Sequence, residues 1–295
     1  MSNKSRYFDK FILTDSYVIE FNVALSCNLN CNQCIRFSPY FNKNDNVSFE
    51  EFKKDFDYVK SLKDFVKIDV VSFSNEPYVN KDFLEMLKYT RKYYKKKISV
   101  ATNGLFFTYI PDNELKTLKD LDIEFIITYY SKSNIDYQKI ENRLNHVNIK
   151  HSVFKCYFQE DNRDTVDYHV DAIIFEKPIK KKFIKMICAS CITISSGKMY
   201  KCADVNPTHL LQKKFCLKNT IKEGVDYANL TSFKSLKEMQ YFCLKMKRKG
   251  YCKYCANTFC YGMSEWSNNR IPFKDHLASK EQEELFCENL EESLE

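Results

Sequence analysis

Cys27-Asn28-Leu29-Asn30-Cys31-Asn32-Gln33-Cys34 puts three cysteines within eight residues, after the apolar, β-branched run Tyr17-Val18-Ile19-Glu20-Phe21-Asn22-Val23-Ala24-Leu25. The run predicts a strand, so the cysteines lie on the loop that leaves it. Three thiolates on one loop can gather around a single inorganic centre. Soft ligands of this kind select iron–sulfur clusters, zinc or copper(I). A [4Fe–4S] cube takes four cysteines when its shell is complete, so three local ones leave an iron open to a small chelating molecule unless a fourth arrives from elsewhere. Asn28, Asn30 and Asn32 suit the tight turns of such a loop, because asparagine tolerates positive φ.

Working outward, Ser48 and Glu51 form a capping box ahead of a helix on which Phe49, Phe52, Phe56, Val59 and Leu62 recur at helical spacing. Residues 66–73 read as the next strand. Asn80 or Asp82 opens a second helix carrying Phe83, Leu84, Leu87 and Tyr94. Residues 98–102 read as a strand ending in the turn Asn103-Gly104. A third helix carries Leu115, Leu118 and Leu121, residues 123–129 form a strand, and Ile140 with Leu144 marks a fourth helix. Residues 147–154 and 171–175 are the last two strand candidates. Strict alternation implies parallel pairing with right-handed crossovers. Six strands predict an α/β fold, a partial (βα)6 TIM-like barrel. Ligands in such folds sit at the carboxyl ends of the strands. That rule points to the cysteine loop, Ser74-Asn75-Glu76-Pro77, Thr102-Asn103-Gly104 and Thr128-Tyr129-Tyr130-Ser131 as one convergent site.

The C-x3-C-x2-C spacing resembles the cluster loop of the radical S-adenosylmethionine (radical SAM) superfamily, and the strand-end motifs follow in that family's order. The resemblance covers roughly residues 17–176. It implies that Cys27, Cys31 and Cys34 hold a [4Fe–4S] cluster whose fourth iron takes the amino and carboxylate groups of S-adenosylmethionine. Reductive cleavage of that cofactor to a 5′-deoxyadenosyl radical is the implied reaction. The position before the third cysteine, usually aromatic in the family, is Gln33. Ser74-Asn75-Glu76-Pro77 stands where the family carries a Gly-Gly-Glu-Pro-like motif that receives the cofactor's amino group, keeping Glu-Pro but neither glycine. Thr102-Asn103-Gly104 resembles the family's Thr-Asn-Gly, and Thr128 or Ser131 is the candidate for the ribose.

From Cys188 the pattern changes. Cys188-Ala189-Ser190-Cys191 precedes a predicted hairpin turning at Ser196-Gly197 and ending at Cys202, and Cys252-Lys253-Tyr254-Cys255 comes much later, with Cys260 and Cys287 beyond. Two C-x2-C pairs are compatible with structural zinc. The run Gly-x4-Cys with a flanking cysteine and a later C-x2-C also resembles the SPASM or twitch extension of radical SAM enzymes, which binds auxiliary [4Fe–4S] clusters. That resemblance implies one such cluster on Cys188, Cys202, Cys252 and Cys255. Cys191 is the substitute for Cys188, and a second cluster on Cys260 and Cys287 is the alternative. Glu176-Lys177-Pro178 marks the expected hinge, giving a barrel domain over residues 1–178 and a cysteine-rich domain over 179–295. Cys156, Cys216 and Cys243 lack ligand-spaced neighbours and read as small buried hydrophobes.

With 295 residues, 44% of them apolar and 29% charged, the chain has the composition of a soluble globular protein. No apolar run approaches the ~20 residues of a membrane span, and the amino terminus has no signal-peptide core. A cytoplasmic, reducing location is expected, since 13 cysteines at ligand spacings suit metal binding rather than disulfides. The net charge of +7 comes from scattered lysine patches that read as solvated surface. No membrane or nucleic-acid partner is expected. An auxiliary cluster beside a radical site implies net two-electron oxidation of a substrate, with a donor such as flavodoxin or ferredoxin. The preferred substrate is a small polar molecule such as a sugar or aminocyclitol alcohol. A peptide- or protein-modifying maturase, a tRNA-modifying enzyme and a zinc-binding interaction module are the alternatives.

Overall fold

The computed structural model describes residues 17–130, 133–155, 157–158, 166–170, 191–215, 221–246, 249–254, 263–265 and 267–277. Its first half alternates strand and helix: β1 (Tyr17–Phe21), α1 (Phe49–Ser61), β2 (Ile68–Phe73), α2 (Phe83–Tyr93), β3 (Lys97–Thr102), α3 (Asp112–Asp120), β4 (Ile123–Tyr129), α4 (Tyr137–Val147) and β5 (His151–Lys155). There follow β6 (Tyr157–Phe158), β7 (Val166–Val170), β8 (Cys191–Ser195), β9 (Lys198–Tyr200), α5 (Val205–Lys214), β10 (Tyr227–Asn229), α6 (Leu236–Lys245) and β11 (Met263–Glu265). The main sheet has the order β10-β9-β8-β1-β2-β3-β4-β5, and β11-β7-β6 form a small second sheet. From β8 through β1 to β5 the pairing is parallel, whereas β9 and β10 run antiparallel. This is the mixed α/β fold of a partial barrel.

Local chemistry explains the element boundaries. Ser48 and Glu51 close a reciprocal capping box at α1, satisfying donors that the first turn leaves unpaired. Residues 66 and 67, expected in a strand, belong instead to a short 3-10 turn. Val66 is 75% exposed there, and β2 begins at Ile68, where burial begins. The expected strand over residues 147–154 also starts late. Val147 completes α4, Asn148 caps it in the left-handed region at φ +61°, and β5 begins at His151. The sixth parallel strand is β8, placed beside β1. The candidate at residues 171–175 and the hinge at 176–178 lie outside the described residues. The Ser-Gly turn closes the β8–β9 hairpin with φ of +47° at Ser196 and +75° at Gly197, the signs a type I′ turn requires.

The two faces of the sheet differ sharply. Ile19, Phe21, Val71, Phe73, Ile98, Val100, Phe125 and Ile127 are essentially inaccessible and belong to one core with the helices. Phe21 meets Phe52 of α1 edge-on at 5.2 Å, and Phe73 meets Phe83 of α2 at 5.3 Å. The alternate residues form a polar row across five strands, Thr193–Glu20–Ser72–Ser99–Glu124, in register. A parallel sheet covered on both faces by apolar layers reads as near-continuous hydrophobic strands. Alternation here puts a polar row on the face away from the helices, between apolar neighbours such as Val18, Val70, Ala101 and Ile126. Ser99 Oγ and Thr193 Oγ1 in that row, with Asn22 Oδ1 two residues beyond Glu20, are buried and have no partner among the described residues. Unsatisfied buried polar atoms are destabilising unless water or a ligand meets them.

Candidate active site

Three asparagines fix the path of the chain from β1 to the cysteines. Asn80 Nδ2 donates to the carbonyls of Val23 (2.8 Å) and Val47 (2.7 Å). Asn46 Oδ1 accepts from the backbone N–H groups of Leu25 (2.9 Å) and Ser26 (3.1 Å). Asn75 Nδ2 donates to Ala24 O (2.7 Å) and Leu25 O (3.1 Å), while its Oδ1 accepts from Ser38 Oγ (2.8 Å). Asn75 itself has φ +76°. It stands where the family motif has its second glycine, and asparagine is the side chain that best tolerates that backbone. The left-handed turn survives the loss of both glycines, and the replacement adds three hydrogen bonds.

Glu76 ties the next strand ends together. It is wholly inaccessible, and its carboxylate accepts from Thr102 Oγ1 (2.7 Å) and Asn103 N (2.9 Å). Burial pushes its pKa up to about 7, against the downward pull of those two bonds. The carboxylate is thus engaged within the chain. Asn103 Nδ2 donates to Asn28 Oδ1 (2.7 Å) and lies 3.7 Å from Cys27 Sγ, which also accepts from Leu29 N at 3.4 Å. Thr128 is half-buried at the end of β4, and its carbonyl accepts from Tyr137 Oη at 3.2 Å. Ser131 lies outside the described residues. The ends of β1, β2 and β3 therefore converge, as the carboxyl-end rule predicts. Beside them opens a cavity of about 440 Å³ between Asn28 and Leu29, Leu105, the segment Ser133 to Ile135, and Ser267 with Asn268.

The thiols fit the group the resemblance implies. Cys27 and Cys34 are half-buried and Cys31 is buried, all without a disulfide. Burial pushes the Cys27 thiol well up, the Glu76 carboxylate adds to this, and Cys34 and Cys31 lie close enough to contribute. Three neighbouring thiolates repel one another until cationic iron compensates them. The N–H donors at Cys27 Sγ are the hydrogen bonds that tune bound clusters. Among the described residues, no three His, Cys, Asp or Glu side chains close on one metal ion. Gln33 is half-buried on the same loop.

Sequence reasoning passed over Arg36, two residues after Cys34. Its Nη2 donates to Ser74 Oγ (3.1 Å) and Glu20 Oε1 (3.3 Å), and its Nε lies 3.8 Å from Asp204 Oδ1. Burial lowers its pKa, but Glu20, Asp204 and the nearby Cys202 and Cys34 outweigh that and raise it. A pattern signal did exist, since Glu20 is an acid inside an otherwise apolar strand and needs a buried cation. The carboxyl-terminal segment then covers the loop. Asn32 and Ser267 exchange two bonds of 3.0 Å, Asn30 N donates to Asn268 Oδ1 (2.7 Å), and Tyr40 Oη donates to Ile271 O (2.5 Å).

Of the second cysteine group, Cys202 and Cys252 are described. Cys202 follows β9 and Cys252 sits in a 3-10 turn. Burial pushes the Cys252 thiol up, Cys202 and Asp226 add to this, and the Lys201 ammonium, hydrogen-bonded to it, pulls it down. Lys201 Nζ is paired with Asp226 Oδ1 at 2.5 Å, with both side chains nearly inaccessible. Asp226 also accepts from the backbone of Lys222 (2.9 Å) and Tyr251 (2.8 Å), tethering the Cys252 turn to the Cys202 turn. Cys188, Cys255, Cys260 and Cys287 lie outside the described residues, and Cys191 is placed on β8.

A sequence profile described as "Radical SAM superfamily" matches residues 21–147, the stretch from β1 to the end of α4 that carries every described strand-end motif. The chain carries a radical SAM superfamily domain. That family implies a [4Fe–4S] cluster and S-adenosylmethionine for this enzyme. Among solved structures, BtrN in complex with AdoMet and 2-DOIA matches with a TM-score of 0.52 at 18% identity, over 81% of this chain and 92% of BtrN. Streptococcus suis SuiB matches with a TM-score of 0.29 at 15% identity, over 50% of this chain and 41% of SuiB. SuiB bound to precursor peptide SuiA gives 0.31 at 14%, over 48% and 39%. No curated protein sequence is significantly similar to this radical SAM chain.

Proposed function

We propose that this radical SAM enzyme oxidises a small, hydroxyl-bearing molecule held on the polar row of the sheet beside the cysteine loop. The observation that carries this reading is the row Thr193–Glu20–Ser72–Ser99, buried except at half-buried Ser72, with Ser99 Oγ and Thr193 Oγ1 left without partners among the described residues. Sites built to hydrogen-bond a substrate's hydroxyls leave such groups waiting. The cavity beside the cysteine loop, about 440 Å³, is in the range of small-molecule sites, and its lining is amide, hydroxyl and apolar with no charged side chain among the described residues. The BtrN complex holds 2-DOIA alongside AdoMet, a bound pair that accords with a small-molecule substrate.

Cys27, Cys31 and Cys34 are the proposed cluster ligands. Residues 74–77, Thr102, Asn103 and Thr128 are the proposed cofactor frame, with Gln33 and Ser131 beside it. When bound, the cluster and S-adenosylmethionine supply a one-electron reduction that yields a 5′-deoxyadenosyl radical. The chain's own part is placement. Asn46, Asn75 and Asn80 hold the loop rigidly, Glu76 fixes β2 to β3, and the 267–277 segment shields the loop from water, so a reactive centre meets substrate in one orientation. Cys202 and Cys252, joined by Cys188 and Cys255, would hold an auxiliary cluster, which would supply an acceptor for the second electron, and a small ferredoxin or flavodoxin is the proposed donor. Anaerobic incubation with deuterated sugars and aminocyclitols tests the reading. Deuterium in 5′-deoxyadenosine with an oxidised product supports it; label transfer from a peptide or tRNA alone overturns it.

A further inference from the structure

On the other side of β1 from that cavity, a second one of about 490 Å³ lies between the β8–β9 hairpin, α5 and the chain flanking the cysteine loop. Lys198, Lys213 and Lys214 line it, against a single acid, Asp45. Asp45 is already engaged, because its Oδ2 accepts from Asn42 N at 2.8 Å and caps a short turn. Lys214 is held in place by donating to Tyr40 O at 2.6 Å. The cavity thus carries a formal excess of two positive charges. Its inner wall adds a separate observation: Asn206 lines it, is 2% exposed, and has no partner for Nδ2 among the described residues. A buried amide N–H without an acceptor is destabilising unless a ligand or water supplies one. Nearby, burial and then the Lys198 and Lys213 charges hold His209 down at about 4.

We propose that this cavity is an anion site for a phosphate-bearing small molecule. Lysine binds phosphate as a compact point charge, and an excess of two positive charges matches a phosphate group of nearly two negative charges better than a singly charged carboxylate. The volume exceeds what a bare phosphate fills, leaving room for an attached organic group against Leu25 and Phe41. Those two residues lie on either side of the cysteine loop in the chain. The site is independent of the substrate reading above.

Isothermal titration of the anaerobically purified full chain, at constant ionic strength, tests this with inorganic phosphate, pyrophosphate and acetate as probes. The expected result is saturable binding of phosphate and pyrophosphate but not acetate. The Lys198→Gln/Lys213→Gln variant is expected to bind at least tenfold more weakly, and Asn206→Leu several-fold more weakly. Circular dichroism and iron content of each variant report that the fold and the cysteine loop are intact. Absence of saturable phosphate binding overturns the proposal. Binding that is equally strong for acetate, or unchanged in a folded double variant, overturns it as well.

Discussion

Asn75 offers the most discriminating perturbation, because its backbone and its side chain do separable work. Asn75→Gly keeps a residue at ease at φ +76° but deletes the bonds to Ala24 O, Leu25 O and Ser38 Oγ. Ala24, Leu25 and Ser38 are all buried, so those groups gain no full replacement from water. At about 0.5–1.5 kcal/mol net per bond, the loss of three is about 1.5–4.5 kcal/mol. Asn75→Ala loses the same bonds and forces a Cβ-bearing residue without a polar side chain into the left-handed region, adding about 1–2 kcal/mol. The stability order is therefore parent, Gly, Ala. Urea unfolding of anaerobically purified protein, followed by circular dichroism, measures it. Because these bonds hold the chain just ahead of Cys27, both variants should also raise KM for S-adenosylmethionine. An alanine variant as stable as the glycine variant refutes the strain argument, and a glycine variant as stable as the parent refutes the hydrogen-bond argument.

Further outcomes follow from the same reasoning. Asp55 is buried, accepts from Gly197 N at 2.9 and 3.2 Å, and is lifted by burial from 3.8 to about 6. The unfolded chain releases this proton earlier than the folded one, so the stability involved is present below about pH 4 and lost as pH rises through 6. The loss amounts to about 3 kcal/mol at most. Asp55→Asn should flatten that fall and match or exceed the parent at pH 7 in pH-dependent melting. Asp226→Ala strands the Lys201 ammonium and should destabilise by about 3–5 kcal/mol, measured by urea unfolding. Gly250→Ala drives a Cβ into the Asp226 carboxylate at φ +53°; it should lower the melting temperature, whereas Gly224→Ala, which meets nothing within 4 Å despite φ +75°, should lower it less.

Much of the fold was legible because helix and strand periods differ. The four barrel helices, the strands between them and the Ser196-Gly197 hairpin all come from spacing and caps. The misreadings have local causes. Val66 and Val147 are β-branched residues that tertiary context assigns to a turn and a helix end, and sequence alone does not reveal that Asn148 terminates α4 in the left-handed region. The neighbour of β1 was not legible either. β8 comes from far along the chain, and its Ile192 and Ile194 give no address. At the site, the cysteines and the Glu-Pro and Thr-Asn-Gly motifs announced themselves. The internal roles of Glu76 and Asn75, and the Arg36 pairs to Glu20 and Asp204, span residues 16 to 168 positions apart or depend on one φ angle, which no local pattern encodes.

Anaerobic iron and sulfide analysis coupled to a 5′-deoxyadenosine assay, run on the parent and on the Cys27→Ala/Cys31→Ala/Cys34→Ala variant, tests the central claim most directly. The account predicts that the parent binds iron and sulfide and, once reduced, releases 5′-deoxyadenosine from S-adenosylmethionine, and that the triple variant loses that activity together with one cluster's iron. Cofactor cleavage that persists in the triple variant, or a colourless parent carrying stoichiometric zinc, contradicts it.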